Sequence, residues 1–401
     1  MKLRIGSFIA LQVAGLIVSC ALSTTPALAL DGDSQAATRS LDRMDKPSLN
    51  GGTKLSKDAE SSEYGRLMQL GIDEGLHLGA ELIAGTKDGV QLHESLGFAS
   101  ASPARPWTKD GLVDMASVTK VMATSTAVLI CRERGLLDTN APISHYLPEC
   151  NPEAGAVSLA QLATHCGGFD NGKRFFREYF GKEIREAICK EKPLRKPDTK
   201  FEYACVDMML LGLAVEAVSG RKLDEFCLNE IYRPLKMPDT SFGPLDRRDG
   251  RLVKMATVAP GLISDEIARY ANSSIGNAGL FSSAPDIARF CRMILNGGEL
   301  DGVRILSQDS LGLFMKRLNP EPLPARSFGW DMGQDRRPDC MSDRSILHSG
   351  WTGQTVFIDP ENGIFVAVLT NRMGDHAKAM ENRRQIANAA AKAVIARASR
   401  Q

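Results

Sequence analysis

Asp114-Met115-Ala116-Ser117-Val118-Thr119-Lys120-Val121-Met122-Ala123-Thr124 is the stretch on whose reading the fold turns. From Ser117 the chain runs apolar to Ile130 and stops at Arg132-Glu133-Arg134-Gly135, a basic last turn and then a glycine, both helix-ending features. Apolar residues occupy nearly every face between Val121 and Ile130, so the segment predicts a buried central helix. Ser117 and Lys120 fall on one face at its start. There the positive end of the helix dipole favours an alkoxide and disfavours an ammonium, and burial disfavours the ammonium again. Both effects predict a neutral lysine able to take the serine proton.

A serine three residues before a lysine is weak by itself, and Ser219-Gly220-Arg221-Lys222 repeats it. Ser219 ends an apolar helical stretch and Gly220 is a stop residue, so that copy reads as capping and surface chemistry. Working outward from Ser117, Tyr64 to Leu76 has helical spacing. Ala80 to Ile83 and Val90 to Gly97 are short apolar runs around Thr86-Lys87-Asp88-Gly89, a hairpin signal. Helices are predicted at Leu159 to Thr164, Lys182 to Lys190, Val206 to Val218, Leu223 to Ile231 and Pro285 to Leu295, with few strand signals between Leu136 and Asn296. Strands return at Ser345 to Ile358 and Ile364 to Thr370 around Asp359-Pro360-Glu361-Asn362-Gly363, and Ala377 to Ala398 closes the chain as a helix. This order predicts an α/β (α+β) fold, with an antiparallel sheet built from both chain ends, flanking helices and a mostly helical insertion over about 136–296.

Lys+Arg 49 against Asp+Glu 48 leaves no electrostatic footprint for nucleic acid, so that partner is excluded. Residues 1–29 read as a signal peptide: Lys2 and Arg4, an apolar run from Phe8 to Val18, and Pro26-Ala27-Leu28-Ala29 before the cut. Two other readings stay open: lipid attachment at Cys20 of Ile17-Val18-Ser19-Cys20, and retention of Ile5 to Leu30 as an uncut anchor. The apolar core is short for a span, which needs about 20 residues, and no later segment resembles one. The expectation is an exported protein, periplasmic or secreted, free or tethered through Cys20, with no membrane span in the mature chain. Residues 30–63 read as a flexible leader and 64–401 as the folded domain.

Eight cysteines follow Ala29. None forms C-x-x-C or a zinc-finger grouping, so no metal is expected. They read chiefly as buried small hydrophobes, with one or two disulfides open among on the order of a hundred pairings.

Four further segments follow Ser117 in a fixed order. They are Gln161-Leu162-Ala163-Thr164-His165-Cys166-Gly167-Gly168, Phe201-Glu202-Tyr203-Ala204-Cys205, Gly276-Asn277-Ala278-Gly279-Leu280-Phe281-Ser282-Ser283-Ala284, and His348-Ser349-Gly350-Trp351-Thr352-Gly353. With the Ser117 segment, this set resembles the serine beta-lactamase and penicillin-binding protein superfamily, nearest its class C-like esterase and D-peptidase branch. The resemblance spans about residues 64 to 398. It implies Ser117 as nucleophile, Lys120 as general base and Tyr203 as second proton shuttle. It also implies an oxyanion hole from the Ser117 and Trp351 N–H groups, such donors being worth about 3 to 4 kcal/mol each. His348, Ser349, Gly350, Trp351 and Cys205 would contact substrate, and no cofactor is implied.

Plainer readings stand beside these. Tyr203 fits packing ahead of the Val206 helix, His348 a strand histidine and His165 a turn support. Cys205 stands where the family carries Asn, Asp or Ser, and a thiol is a poor donor, which weakens the case for efficient beta-lactam turnover. His348 stands where a lysine is frequent, so a permanent cation for a substrate carboxylate is missing there; Arg372 is one candidate to replace it. The reading is an exported serine hydrolase acting on small esters or D-amino-acid peptides and amides, the substrate a small molecule or cell-wall-derived peptide. The alternatives are an acyltransferase using the same acyl-enzyme and a non-turnover penicillin- or peptidoglycan-binding protein.

Overall fold

Thr86-Lys87-Asp88-Gly89 turns the chain back on itself: the Thr86 N–H donates to Gly89 O at 2.9 Å and the Asp88 N–H to Thr86 Oγ1 at 3.2 Å. In this computed structural model, which describes residues 51–171 and 178–400, the turn joins β1 (His77–Thr86) to β2 (Val90–Ala101) in antiparallel register. The remaining strands are, in chain order, β3 (Ala104–Pro106), β4 (Val113–Asp114), β5 (Ser241–Phe242), β6 (Leu280–Ser282), β7 (Glu299–Leu300), β8 (Val303–Arg304), β9 (Ile346–Ser349), β10 (Gln354–Asp359) and β11 (Ile364–Arg372). The main sheet has the order β3-β2-β1-β11-β10-β9, antiparallel throughout, so the predicted assembly from both ends of the chain is what forms.

Both faces of that sheet are covered, which is why β11 reads as an unbroken apolar run. Val366 and Val368 face one side with Leu82, Ala84 and Phe357, while Phe365, Ala367 and Leu369 face the other with Ile83 and Val356. The first side packs on α1 (Lys57–Ser61), α2 (Glu63–Asp73) and the long C-terminal helix, whose Ile386, Ala390 and Val394 point inward. The second packs on the helical region. There lie α3 (Thr126–Glu133), α4 (Leu159–Ala163), α5 (Lys182–Lys190), α6 (Cys205–Ser219) and α7 (Ala284–Leu295), ahead of the C-terminal helix α8 (His376–Ala398). Each Val or Phe buried between layers contributes roughly 1.5–3 kcal/mol, so a charge at Val366 or Val368 breaks the sandwich from the inside.

The segment from Ala116 to Glu133 is helical and buried from Val118 to Cys131, as its all-round apolarity requires, but it changes pitch along its length. Ala116–Val118 is a 3₁₀ turn and Lys120–Ser125 a π-helical turn before α3 begins. Thr126 Oγ1 donates to Val121 O at 2.8 Å, five residues back, in keeping with the wider turn.

Three expectations are corrected, and the cysteine reading holds in its plainer form. Regular structure starts before residue 64: Thr53 bridges to Gly97 and α1 is capped by Ser56, so the end of the supposed leader belongs to the fold. Ser345 to Ile358 is not one strand, because Gly350-Trp351-Thr352-Gly353 is a turn that makes β9 and β10 a hairpin. The helical middle also carries β5 and β6, which join β4 in a small sheet too short to leave an alternating pattern. All eight described cysteines are free thiols, six of them buried, which favours the small-hydrophobe reading over pairing. The signal peptide, Cys20 and the leader up to residue 50 lie outside the described residues. No described helix is long and apolar enough to cross a membrane.

Candidate functional site

Ser117 sits where β4 hands over to the buried helix, and the handover is held from three sides. Ala116 is in the left-handed region at φ 44°, a conformation that costs a non-glycine residue of order 1–3 kcal/mol. The Asp114 carboxylate, itself buried, offsets that cost by accepting from the Ala116 N–H at 2.8 Å and from the Ser264 N–H at 2.7 Å. Met115 N–H donates to Leu280 O of β6 at 2.8 Å, and Thr352 Oγ1 donates to Asp114 O at 2.8 Å.

Lys120 is fully buried beneath this turn. Its Nζ donates to Ser117 Oγ at 3.0 Å and to Asn277 O at 2.8 Å, and lies 3.8 Å from Cys205 Sγ and 5.1 Å from the centre of the Tyr203 ring. The serine and lysine are therefore on one face, as their spacing predicts. The charge state differs from the expectation. Burial lowers the proton affinity of Lys120, but the ionised forms of Cys205 and Tyr203 raise it, and the net direction is upward. Burial in turn pushes the Cys205 thiol up. That direction for Lys120 runs against the neutral lysine that burial alone would give.

Tyr203, half-buried just ahead of α6, has one face against His165, ring centres 4.6 Å apart. His165 Nδ1 is 3.0 Å from Asp207 Oδ2, both groups fully buried, and burial drives His165 well below its usual range. His165 supports the phenol from behind. The Cys205 N–H is capped by Asn171 Oδ1 at 3.1 Å, which fixes the first turn of α6 beside Lys120.

A cleft of about 270 Å³ opens above Ser117 and is bounded by Tyr203, Arg326, Arg336, His348 and Trp351. His348 pairs with Val356 across β9 and β10, and its Nδ1 lies 3.2 Å from Ser349 O. Its buried Nε2 has no hydrogen-bond partner among the described residues. Burial, with Lys120 and Arg326 nearby, holds this imidazole neutral, in keeping with the missing cation expected there. Gly350 has a definite reason to be glycine: a Cβ would stand 2.6 Å from Met115 O. The close approach sets the Gly350-Trp351 backbone beside the Ser117 turn, and the Trp351 N–H meets no backbone acceptor among the described residues. Ser349 lines the cleft, with Oγ 3.3 Å from Thr355 Oγ1, whereas Cys205 lies one layer deeper against Lys120.

Arg372 is not in the cleft wall. Its guanidinium lies 4.4 Å over the Trp351 ring and its Nε donates to Trp351 O at 2.8 Å, so it braces the rim. Trp351, 57% exposed, also stacks on His376 of α8 at 4.8 Å. The cations facing the cleft are Arg326 and Arg336, which share Asp331 at 3.1 and 3.7 Å. Arg326 is buried, its guanidinium 4.4 Å over the Phe201 ring. Arg326 and Arg336 escaped the sequence reading because they lie in loops without a spacing signature, and Asn277, inside a quoted motif, was given no role there. The second Ser-Lys pair is where the sequence put it: Gly220 caps α6 in the left-handed region and Lys222 is exposed beside Glu216. A wider groove of about 670 Å³ at Arg185, Cys189 and Glu216 contains none of the expected site residues.

The family profile described as Beta-lactamase matches residues 66–391. An N-acetylmuramyl-L-alanine amidase of Bacillus subtilis (strain 168) is 28% identical over 311 residues, covering 67% of this chain and 70% of that protein. A protein of Escherichia coli (strain K12), provisionally named D-alanyl-D-alanine carboxypeptidase, is 28% identical over 310 residues, 66% of this chain and 70% of its own length. Among solved structures, a family VIII carboxylesterase superposes with a TM-score of 0.68 at 21% identity, over 85% of this chain and 99% of that one. The profile runs from the second helix into the last, across every strand that carries the cleft, and on that extent the chain belongs to the beta-lactamase family.

Proposed function

We propose that the protein is an exported serine hydrolase that forms an acyl-enzyme on Ser117 and acts on small esters and D-amino-acid peptides or amides, with only slow beta-lactam turnover. The observation that carries this reading is the buried contact of Lys120 Nζ with Ser117 Oγ at 3.0 Å, with the Tyr203 ring alongside. Ser117 Oγ attacks the substrate carbonyl as its proton passes to the Lys120–Tyr203 pair, the Lys120 positive charge stabilising the alkoxide as it forms. The carbonyl oxygen gains the negative charge and meets the Ser117 and Trp351 N–H groups. Tyr203 then returns the proton to the departing alcohol or amine. In the second half a water gives its proton to Tyr203 and attacks the ester carbonyl; the Ser117 Oγ–acyl bond breaks, Tyr203 returns the proton to Ser117 Oγ, and the carboxylic acid leaves.

Two arginines against one aspartate leave the cleft net positive beside a neutral His348, which favours a substrate bearing a free carboxylate, such as a peptide ending in a D-amino acid. The name of the Escherichia coli relative, a D-alanyl-D-alanine carboxypeptidase, points the same way. Cys205 in place of an amide is the feature that favours the second reading, a protein that acylates and does not turn over.

Fluorophosphonate labelling followed by intact mass tests the nucleophile: wild type should gain one adduct and Ser117→Ala none, with both melting alike. A label that persists in Ser117→Ala sinks the assignment. Multiple turnovers of a nitrophenyl ester speak for the hydrolase, and a stable stoichiometric adduct for the binding protein. The mass of protein recovered from outside the producing cell reports a cut after Ala29 or a lipid on Cys20.

A further inference from the structure

Asn277 is fully buried, and neither its Nδ2 nor its Oδ1 has a hydrogen-bond partner among the described residues. A buried amide left in that state costs about 1–3 kcal/mol, and so calls for a reason. It is not loosely held. Its own carbonyl accepts from Lys120 Nζ at 2.8 Å, Thr124 Oγ1 donates to Gly276 O at 2.7 Å, and the Leu280 N–H donates to Thr119 Oγ1 at 3.1 Å. Gly276, at φ 90°, lies so close to α6 that a Cβ would meet Met208 O at 2.4 Å. The loop is thus clamped between the Ser117 helix and α6, with its amide beside Cys205.

We propose that Asn277 is a positioning residue that supplies, from the loop ahead of β6, the amide that position 205 lacks, and that it holds Lys120 in place while Ser117 is acylated. The inference rests on the acyl-enzyme reading above. In the free enzyme Lys120 has two good acceptors, Ser117 Oγ and Asn277 O, and a distant thiol. Acylation turns Ser117 Oγ into an ester oxygen, a much poorer acceptor, just when Lys120 must stay put for the second half-reaction. Asn277 Oδ1 sits on the residue that already grips the ammonium, with no hydrogen bond among the described residues to hold it elsewhere. On the proposal, rotation of that side chain replaces the lost bond, and no covalent bond is made or broken by Asn277 itself.

The consequence is specific to deacylation. Asn277→Leu keeps the volume and removes the amide. With a nitrophenyl ester, kcat and KM should fall together, each roughly 10- to 100-fold, the worth of one hydrogen bond to a charged group, leaving kcat/KM unchanged and acyl-enzyme visible by mass in the steady state. Asn277→Asp keeps an acceptor and should stay near wild type. Adding Cys205→Asn to Asn277→Leu should restore kcat. Melting of Asn277→Leu should not drop, since a residue kept only for structure would lower it. A fall in kcat/KM with KM constant, an unchanged kcat, or failure of Cys205→Asn to rescue overturns the proposal. Should Asn277→Leu not fold, equal loss in Asn277→Asp overturns it instead. If wild type itself takes no label at Ser117, the acyl-enzyme reading has failed and not the role of Asn277.

Discussion

Lys120 decides the chemistry by its charge more than by its position. A proton affinity raised above the ordinary lysine range, near pH 10.4, favours its cationic form. On the proposed mechanism the lysine then acts through its positive charge and shares the base work with Tyr203. Lys120→Arg preserves the charge and removes any role as neutral base; its acylation rate should exceed that of Lys120→Met by roughly tenfold, about 1.4 kcal/mol of transition-state stabilisation. Equal loss in both variants, read from single-turnover labelling, would return the base role to the lysine. The same sign applies to pH: a group whose proton affinity is raised keeps its contribution at low pH and loses it as pH climbs. The ester rate should therefore show no falling limb below about pH 10.

His77 runs the other way. It is buried at the start of β1, its Nε2 3.4 Å from Asn382 Oδ1 on α8 with Arg383 beside it, and burial first, then Arg383, pull it down to about 4. Above its unfolded value near 6.5 it is neutral in both states and costs nothing. Below, the unfolded chain takes a proton that the folded one refuses. Stability is lost as pH falls from about 6.5 to about 4, on the order of 3 kcal/mol in all. In His77→Asn the melting temperature should depend less on pH across that window than in wild type; parallel curves would count against the account.

Among elements, the turn between β9 and β10 matters most for the site, because it carries the Trp351 N–H against the nucleophile turn. Gly350→Ala forces a Cβ to within 2.6 Å of Met115 O, and the two turns must separate. A displaced oxyanion donor costs about 100- to 1,000-fold in kcat. Ester hydrolysis should fall by that order while the melting transition survives, and an unaffected kcat would remove Trp351 from the oxyanion hole. The same element shows where sequence reading stops. Alternation and the Asp-Gly and Asn-Gly steps located both hairpin partners of the sheet centre, and all-round apolarity located the nucleophile helix. The turn at Gly350 was read as strand because Ile346 to Ile358 is apolar on both sides of it, and burial on two faces erases the period that would have marked the break. The two-residue strands β4 and β5 carry no period at all. Ser117, Lys120 and Tyr203 were legible because a helix face and an ordered set of motifs fix them. Arg326, Arg336 and Asn277 reach the site through loops, where distance along the chain says nothing about distance in space.

At the scale of the molecule, the sheet is stitched from segments nearly three hundred residues apart: Ala80 pairs with Thr370 and Ile83 with Ala367. A chain stopped after Gly363 lacks β11 and α8, and with them the partner of β1 and the cover of one sheet face. It should show no cooperative melt, whereas removing residues 1–50 should leave the transition of the remaining domain intact; circular dichroism of the two truncations checks both.

The pairing of β1 with β11 also fixes when the protein can be finished. Contacts across so long an intervening stretch make for slow folding, and here the last strand to be synthesised is the one that the first strand waits for. Until it arrives β1 has no partner on that side, and the sheet that sets β9 and β10 beside the Ser117 turn is incomplete.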